Sequence, residues 1–113
     1  MVVDDDNELL QSMKTSLENR SFKVLALSEG EKVMKSVSSF KPDVILLDVY
    51  LGKTYGVNIC NELRLKPETK DIPVVLLSGY CKSDILNKCS ANGLIQKPFT
   101  VDTLSEIIKR QLQ

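Results

Sequence analysis

The chain contains no histidine and no tryptophan. Without histidine, the usual zinc sites, Ser-His-Asp triads and Cys-His dyads are all excluded, and the chain cannot itself carry a phosphohistidine. Cysteine is sparse: Cys60, Cys81 and Cys89 are odd in number and form no Cys-x-x-Cys pair. Free, partly buried thiols in a reducing cytoplasm are therefore expected rather than a disulfide framework. Neither sign of charge is in excess, with 15 basic and 15 acidic side chains, so bulk electrostatics point to no nucleic-acid partner and no anionic membrane surface. No apolar run approaches the roughly 18 residues of a membrane span. The opening Met1-Val2-Val3-Asp4 lacks the basic residues of a signal peptide. With no repeat, low-complexity tract or linker, the 113 residues read as one cytoplasmic domain, 1–113, large enough for one core and too small for two.

What the chain does have is a series of short apolar runs, each delivering a polar residue at its end. Val2-Val3 leads into Asp4-Asp5-Asp6, Val44 to Leu47 into Asp48, Ile72 to Leu77 into Ser78, and Leu94 to Gln96 into Lys97-Pro98. Between the runs lie amphipathic stretches. Leu10, Met13 and Leu17 recur at helical spacing after a capping Asp6-Asn7, and Val33, Val37 and Phe40 mark a second helix closed by Pro42. Cys60 and Leu63 mark a third that stops before Pro67, Ile85, Leu86 and Cys89 a short fourth, and Val101, Leu104 and Ile108 a fifth, capped by Thr100. Lys23 to Leu27 supplies the remaining strand. Five strand–helix units imply a parallel sheet covered on both faces with right-handed crossovers. Such sheets bind ligands beyond the carboxyl ends of their strands, where the polar residues fall.

Asp4, Asp5, Asp6 and Asp48 would repel one another unless a cation joined them. Magnesium suits such a place, since it takes one or two carboxylates and keeps waters and a phosphate oxygen. A solvated acidic turn favouring the next helix's amino end explains the run equally well. A calcium loop of the EF-hand kind fails, because Leu9 and Thr15 stand where glycine and glutamate are required. Lys97 before Pro98 is either a surface lysine at a turn or, with a cis bond, an ammonium aimed at Asp48. Gly56 reads as the end of a loop with an unusual backbone angle.

Taken in order, Val-Val-Asp-Asp at 2–5, Pro-Asp-Val-Ile-Leu-Leu-Asp at 42–48, Gly56, Pro-Val-Val-Leu-Leu-Ser-Gly at 73–79 and Lys-Pro-Phe-Thr at 97–100 closely resemble the receiver domain of two-component response regulators, over nearly the whole chain. The resemblance implies an α/β, flavodoxin-like doubly wound sandwich with five parallel strands in the order 2-1-3-4-5 and five helices. It implies that Asp48 is the phosphoacceptor and that Asp5 binds Mg2+ directly. Asp4 would act through water or as a tuning charge, and the Tyr50 carbonyl would complete the coordination. Ser78 and Lys97 would hold the attached phosphoryl group, while Asp6 would face solvent or cap the first helix. The implied donor is a sensor histidine kinase or a histidine phosphotransfer protein. The implied recipient is an output domain or a second copy, with no direct nucleic-acid contact, no membrane and no turnover of external substrates.

The chain departs from the family pattern at Leu94, where an aromatic switch residue is usual, and at Gly52, where a proline is common and a looser loop is expected. Tyr50 and Tyr80 occupy positions that tune phosphoryl lifetime, and two phenols there are expected to screen the acyl phosphate from water. Three other readings compete. A degenerate receiver would serve only as an interaction module. An aspartyl phosphatase or phosphotransferase would want a second acid in Asp48-Val49-Tyr50. A dinucleotide binder would need a Gly-rich loop after the first strand.

Overall fold

The computed structural model describes residues 1–79 and 85–113, without the side chains of Leu86 and Asn87; Tyr80 and Cys81 lie outside the described residues. The elements are β1 (Val2–Val3), α1 (Asn7–Glu18), β2 (Ala26–Leu27), a 3-10 turn (Gly30–Lys32), α2 (Val33–Phe40), β3 (Ile45–Asp48), β4 (Tyr50–Leu51), β5 (Thr54–Tyr55), α3 (Gly56–Leu65), β6 (Val74–Ser78), α4 (Ile85–Cys89), β7 (Gly93–Gln96) and α5 (Val101–Gln111). Five of the strands form a parallel sheet in the order β2-β1-β3-β6-β7. This is the expected 2-1-3-4-5 arrangement of a flavodoxin-like fold.

Alternation along the strands separates two cores. Val3, Ile45, Leu47, Val74 and Leu76 face α2, α3 and α4, meeting Val37, Ile59, Cys60, Leu63 and Ile85. Val2, Leu46, Val75, Leu77 and Ile95 face α1 and α5, meeting Leu10, Met13, Leu17, Leu104 and Ile108. Burial on both faces is why β3 and β6 are continuous apolar runs rather than alternating ones. At the start of α1, the Asp6 carboxylate accepts from the amides of Glu8 and Leu9 at 3.1 and 3.2 Å. Thr100 caps α5 through the amide of Thr103 at 3.1 Å. Both caps match the sequence expectation.

The differences have physical causes. β2 pairs only at Ala26–Leu27, because its one neighbour, β1, offers just two residues. Helix α2 is closed by Lys41 in the left-handed conformation (φ 53°), one residue before Pro42. The segment after Asp48 is not a loose loop but a hairpin, with Tyr50 paired to Tyr55 and Leu51 to Thr54. Gly52 makes its turn at φ 61° while Lys53 does not take positive φ, the pattern of a type II′ turn, in which glycine suits the first central position. Thr54 Oγ1 donates to Glu31 Oε1 at 3.1 Å, tying the hairpin to the turn before α2. Leu94 lies in β7, opposite Leu76, and packs against the α2–α4 core. Among the described residues, no helix is long and apolar enough to cross a membrane.

Candidate functional site

Parallel pairing of β1, β3, β6 and β7 places their carboxyl ends side by side. Asp4 follows β1, Asp48 ends β3, Ser78 ends β6 and Lys97 follows β7. Four residues that span nearly the whole chain therefore converge at one edge. The order reverses direction between β1 and β3, and the crevice there is where open α/β sheets bind ligands.

Asp4 is fully buried, and Asp48 and Ser78 are nearly so, whereas Asp5 is exposed. The Lys97 ammonium donates to Asp4 Oδ2 at 2.8 Å and to Asp48 Oδ2 at 3.1 Å. The Lys97–Pro98 peptide is cis, and the Lys97 amide donates to the Ser78 carbonyl at 2.7 Å. Asp4 also accepts from the Asp6 amide at 2.9 Å, and Asp48 Oδ1 from the Tyr50 amide at 3.4 Å. Burial raises the Asp48 carboxyl to about 6, the Asp4 charge adds to the rise, and Lys97 and the Tyr50 amide oppose it. Burial works against the Lys97 charge, but its bonds to Asp4 and Asp48 outweigh that and raise its pKa. A carboxylate held this way is ionised at neutral pH and needs no general base to act as a nucleophile.

Oxygens of Asp4, Asp5 and Asp48 can all lie within 4.8 Å of one another. Against these three negative charges, Lys97 is the one ammonium bonded to Asp4 and Asp48 among the described residues. The remaining charge and the all-oxygen donor set fit a hard divalent cation such as Mg2+. The link from Lys97 to Asp4, shorter than its link to Asp48, was not legible in the sequence. A lysine's partner is set by strand order, which spacing does not reveal.

Gly56 has a different role from the one its sequence suggests. Its φ is not positive. A Cβ there would instead stand 2.2 Å from the Asp48 carbonyl oxygen and 3.1 Å from Val49 Cα. The Gly56 amide donates to the Val49 carbonyl at 2.6 Å, so the first turn of α3 lies directly against the backbone that carries Asp48. Only a residue without a side chain permits that approach. Gly52 faces the same edge, where a Cβ would come 3.9 Å from Asp5 Oδ2. Tyr50 is 59% exposed as a residue, and its ring leans on Tyr55, with centroids 5.7 Å apart.

The architecture defines a class: a doubly wound α/β domain with buried carboxylates bridged by a lysine at the carboxyl edge of its sheet. Residues 1–109 match the family described as the response regulator receiver domain. The response regulator protein GraR of Staphylococcus aureus is 33% identical over 107 residues, covering 92% of this chain and 46% of that protein. The signal receiver domain of a signal transduction histidine kinase from Syntrophus aciditrophicus superposes with a TM-score of 0.87 at 26% identity, covering 98% of this chain and 86% of that one. The chemotaxis protein CheY4 of Vibrio cholerae shares the fold, with a TM-score of 0.92 at 23% identity over 98% of this chain and 95% of that one. The chain belongs to the response regulator receiver domain family of two-component signalling, and it spans about half the length of the curated relatives it matches.

Proposed function

We propose that the chain accepts a phosphoryl group on Asp48 from a phosphohistidine of a sensor histidine kinase or histidine phosphotransfer protein, and so switches a partner or an output domain. The observation that carries this reading is the convergence of buried Asp48 with Lys97 at 3.1 Å and with the Asp4 and Asp5 carboxylates. An Asp48 carboxylate oxygen attacks phosphorus, the P–N bond breaks, and the imidazole leaves with the electron pair and takes its proton from solvent. The transition state is loose and spreads charge over the equatorial oxygens. The protein's part is to position groups and neutralise charge. Lys97 turns from the Asp48 carboxylate to a phosphoryl oxygen, Ser78 hydrogen-bonds the attached group, and Asp4 keeps Lys97 in place. Asp5, Asp48 and the Tyr50 carbonyl would hold Mg2+ directly, with Asp4 acting through water or as a tuning charge. When bound, the metal neutralises charge on the transferring group.

Tyr50 and Tyr80 are proposed to lengthen the life of the acyl phosphate. Tyr50 stands two residues beyond Asp48, and its ring is tilted against that of Tyr55. Leu94, partly buried against the α2–α4 core, would fill space during the switch without an aromatic ring's rotation.

Incubation with acetyl phosphate and MgCl2, read by intact mass, tests the central claim. The parent is expected to gain one phosphoryl group and Asp48→Asn none, and EDTA is expected to stop the gain. A chain that binds Mg2+ yet is never modified, even with a phosphorylated donor protein, would refute the phosphoacceptor reading and leave an interaction module.

A further inference from the structure

Helices α3 and α4 lie side by side, and two cysteines meet at their contact. Cys60, in α3, is 0% exposed, and Cys89, the last residue of α4, is 3% exposed. The Cys60 thiol donates to the Cys89 carbonyl oxygen, with 3.1 Å between sulfur and oxygen. A carbonyl oxygen stands about 3 Å from its own residue's Cβ, so the Cys89 side chain begins within about 6 Å of the Cys60 sulfur. The Cys60 thiol also interacts with the Cys89 side chain itself, which places the two sulfurs within reach of one another. Burial pushes the Cys60 thiol up to about 12, and the Cys89 side chain adds to the rise while Arg64 opposes it. Both residues rest as free thiols. Beyond Cys89 the chain turns at once, with Ser90 at φ 52°. The Ser90 carbonyl accepts from Arg64 Nε at 3.2 Å, which keeps the end of α4 over α3. Helix α4 is described over Ile85–Cys89, and single surface helices open locally at far lower cost than global unfolding.

We propose that Cys60 and Cys89 form a reversible thiol–disulfide site, oxidised by hydroperoxides, which pins the end of α4 to α3. Local opening of α4 exposes Cys89. Its thiolate attacks the peroxide's terminal oxygen, the O–O bond breaks, and the alkoxide takes a proton and leaves as alcohol, giving a sulfenic acid. The Cys60 sulfur then attacks the Cys89 sulfur. The S–S bond forms, the S–O bond breaks, and water leaves with the Cys60 proton. Two thiols lose two electrons and the hydroperoxide becomes alcohol and water. A dithiol reductant reverses the bond by exchange. Asp48 and Mg2+ have no part in this, so the site stands or falls independently of phosphoryl transfer.

The test uses the full chain with Cys81→Ser, which removes the third thiol. The folded protein is treated with hydrogen peroxide, quenched, alkylated with N-ethylmaleimide in denaturant and mapped by peptide mass. The expected result is a Cys60–Cys89 linked peptide and loss of both alkylation sites, restored by dithiothreitol, with slower amide exchange in α4 of the oxidised form. Cys60→Ser in the same background is expected to stop at the Cys89 sulfenic acid, trapped by dimedone. Full alkylation of both cysteines after oxidation of the folded chain would overturn the proposal. So would a linkage that forms only when oxidant is added in denaturant.

Discussion

Lys97 and Arg64 each bind several segments together, one at either end of the sheet, and they do it with opposite chemistry. At the carboxyl edge, Lys97 joins Asp4 and Asp48 at 2.8 and 3.1 Å. Toward the amino ends of β6 and β7, the Arg64 guanidinium donates to the Ser90, Lys70 and Ile72 carbonyls and to Asn92 Oδ1, at 3.2, 3.1, 2.8 and 2.8 Å. The Asn92 oxygen in turn accepts from the Val74 amide at 2.9 Å. Arg64 meets neutral acceptors in a fixed fork, so its bonds have no cause to rearrange. Lys97 is a compact ammonium with rotatable donors, facing two anions and close to a third. It can exchange one anionic oxygen for another, and the charge left over calls for a further cation. One end of the molecule is electrostatically settled, and the other is held ready for a ligand.

The largest effect expected from breaking this contrast comes at Lys97. On the proposed phosphoacceptor reading, Lys97→Met removes the cation that faces developing charge, and losing one such donor commonly costs about 100- to 1000-fold in rate. Phosphorylation by acetyl phosphate, followed by intact mass and normalised to the folded fraction, is expected to slow by about that factor. Stability falls as well, since Asp4 is left buried with its charge unpaired. A variant that is phosphorylated at the parent's rate would mean that Lys97 serves only to neutralise Asp4.

Arg64→Met should do the reverse. Four acceptors lose a charged donor, at a cost of about 1–3 kcal/mol in stability because Arg64 is only half-buried and water replaces part of what is lost. Urea denaturation measures the cost, while phosphorylation per folded molecule is expected to stay unchanged. A slowed reaction in the folded variant would show that the two ends are coupled.

The two ends also differ in how far they can be read from the sequence. Asp48, Ser78 and Lys97 each stand at the end of an apolar run, so strand polarity alone carries them to one edge, and the family resemblance orders the strands. The caps at Asp6 and Thr100 are local and equally legible. Arg64 is not, because its partners are backbone carbonyls, which every residue possesses, and only the folded chain shows which ones it meets. Gly56 was legible as a glycine with a purpose but not as the right one, since a 2.2 Å approach to the Asp48 carbonyl is a packing fact rather than a turn preference. The β4–β5 hairpin escaped notice because each strand has only two residues, too short for alternation to register.

The smallest effect expected is also the one that separates the two ends by pH. Without metal, folding raises the Asp48 carboxyl from 3.8 to about 6, so the folded state binds that proton more tightly than the unfolded state does. Its contribution to stability is complete below 3.8 and lost as pH rises through about 6. At pH 7.5 the folded parent therefore carries a charge it would be more stable without. Asp48→Asn removes that charge while Lys97 keeps Asp4 as its partner. The shift, in which the bonds to Lys97 and the Tyr50 amide already count, sets a ceiling of about 3 kcal/mol, and solvent screening at the open edge of the sheet reduces the gain to about 1–2 kcal/mol. In EDTA, urea denaturation should find Asp48→Asn more stable than the parent at pH 7.5, with the gap closing by pH 4. Added Mg2+ should narrow it at pH 7.5 by stabilising the parent more than the variant, which keeps Asp5 but loses the Asp48 carboxylate. The penalty of Arg64→Met has no such dependence over that range, because none of its acceptors titrates. A constant gap for Asp48→Asn would place the origin of the strain in packing rather than charge, and the carboxyl edge would then be no less settled than the other.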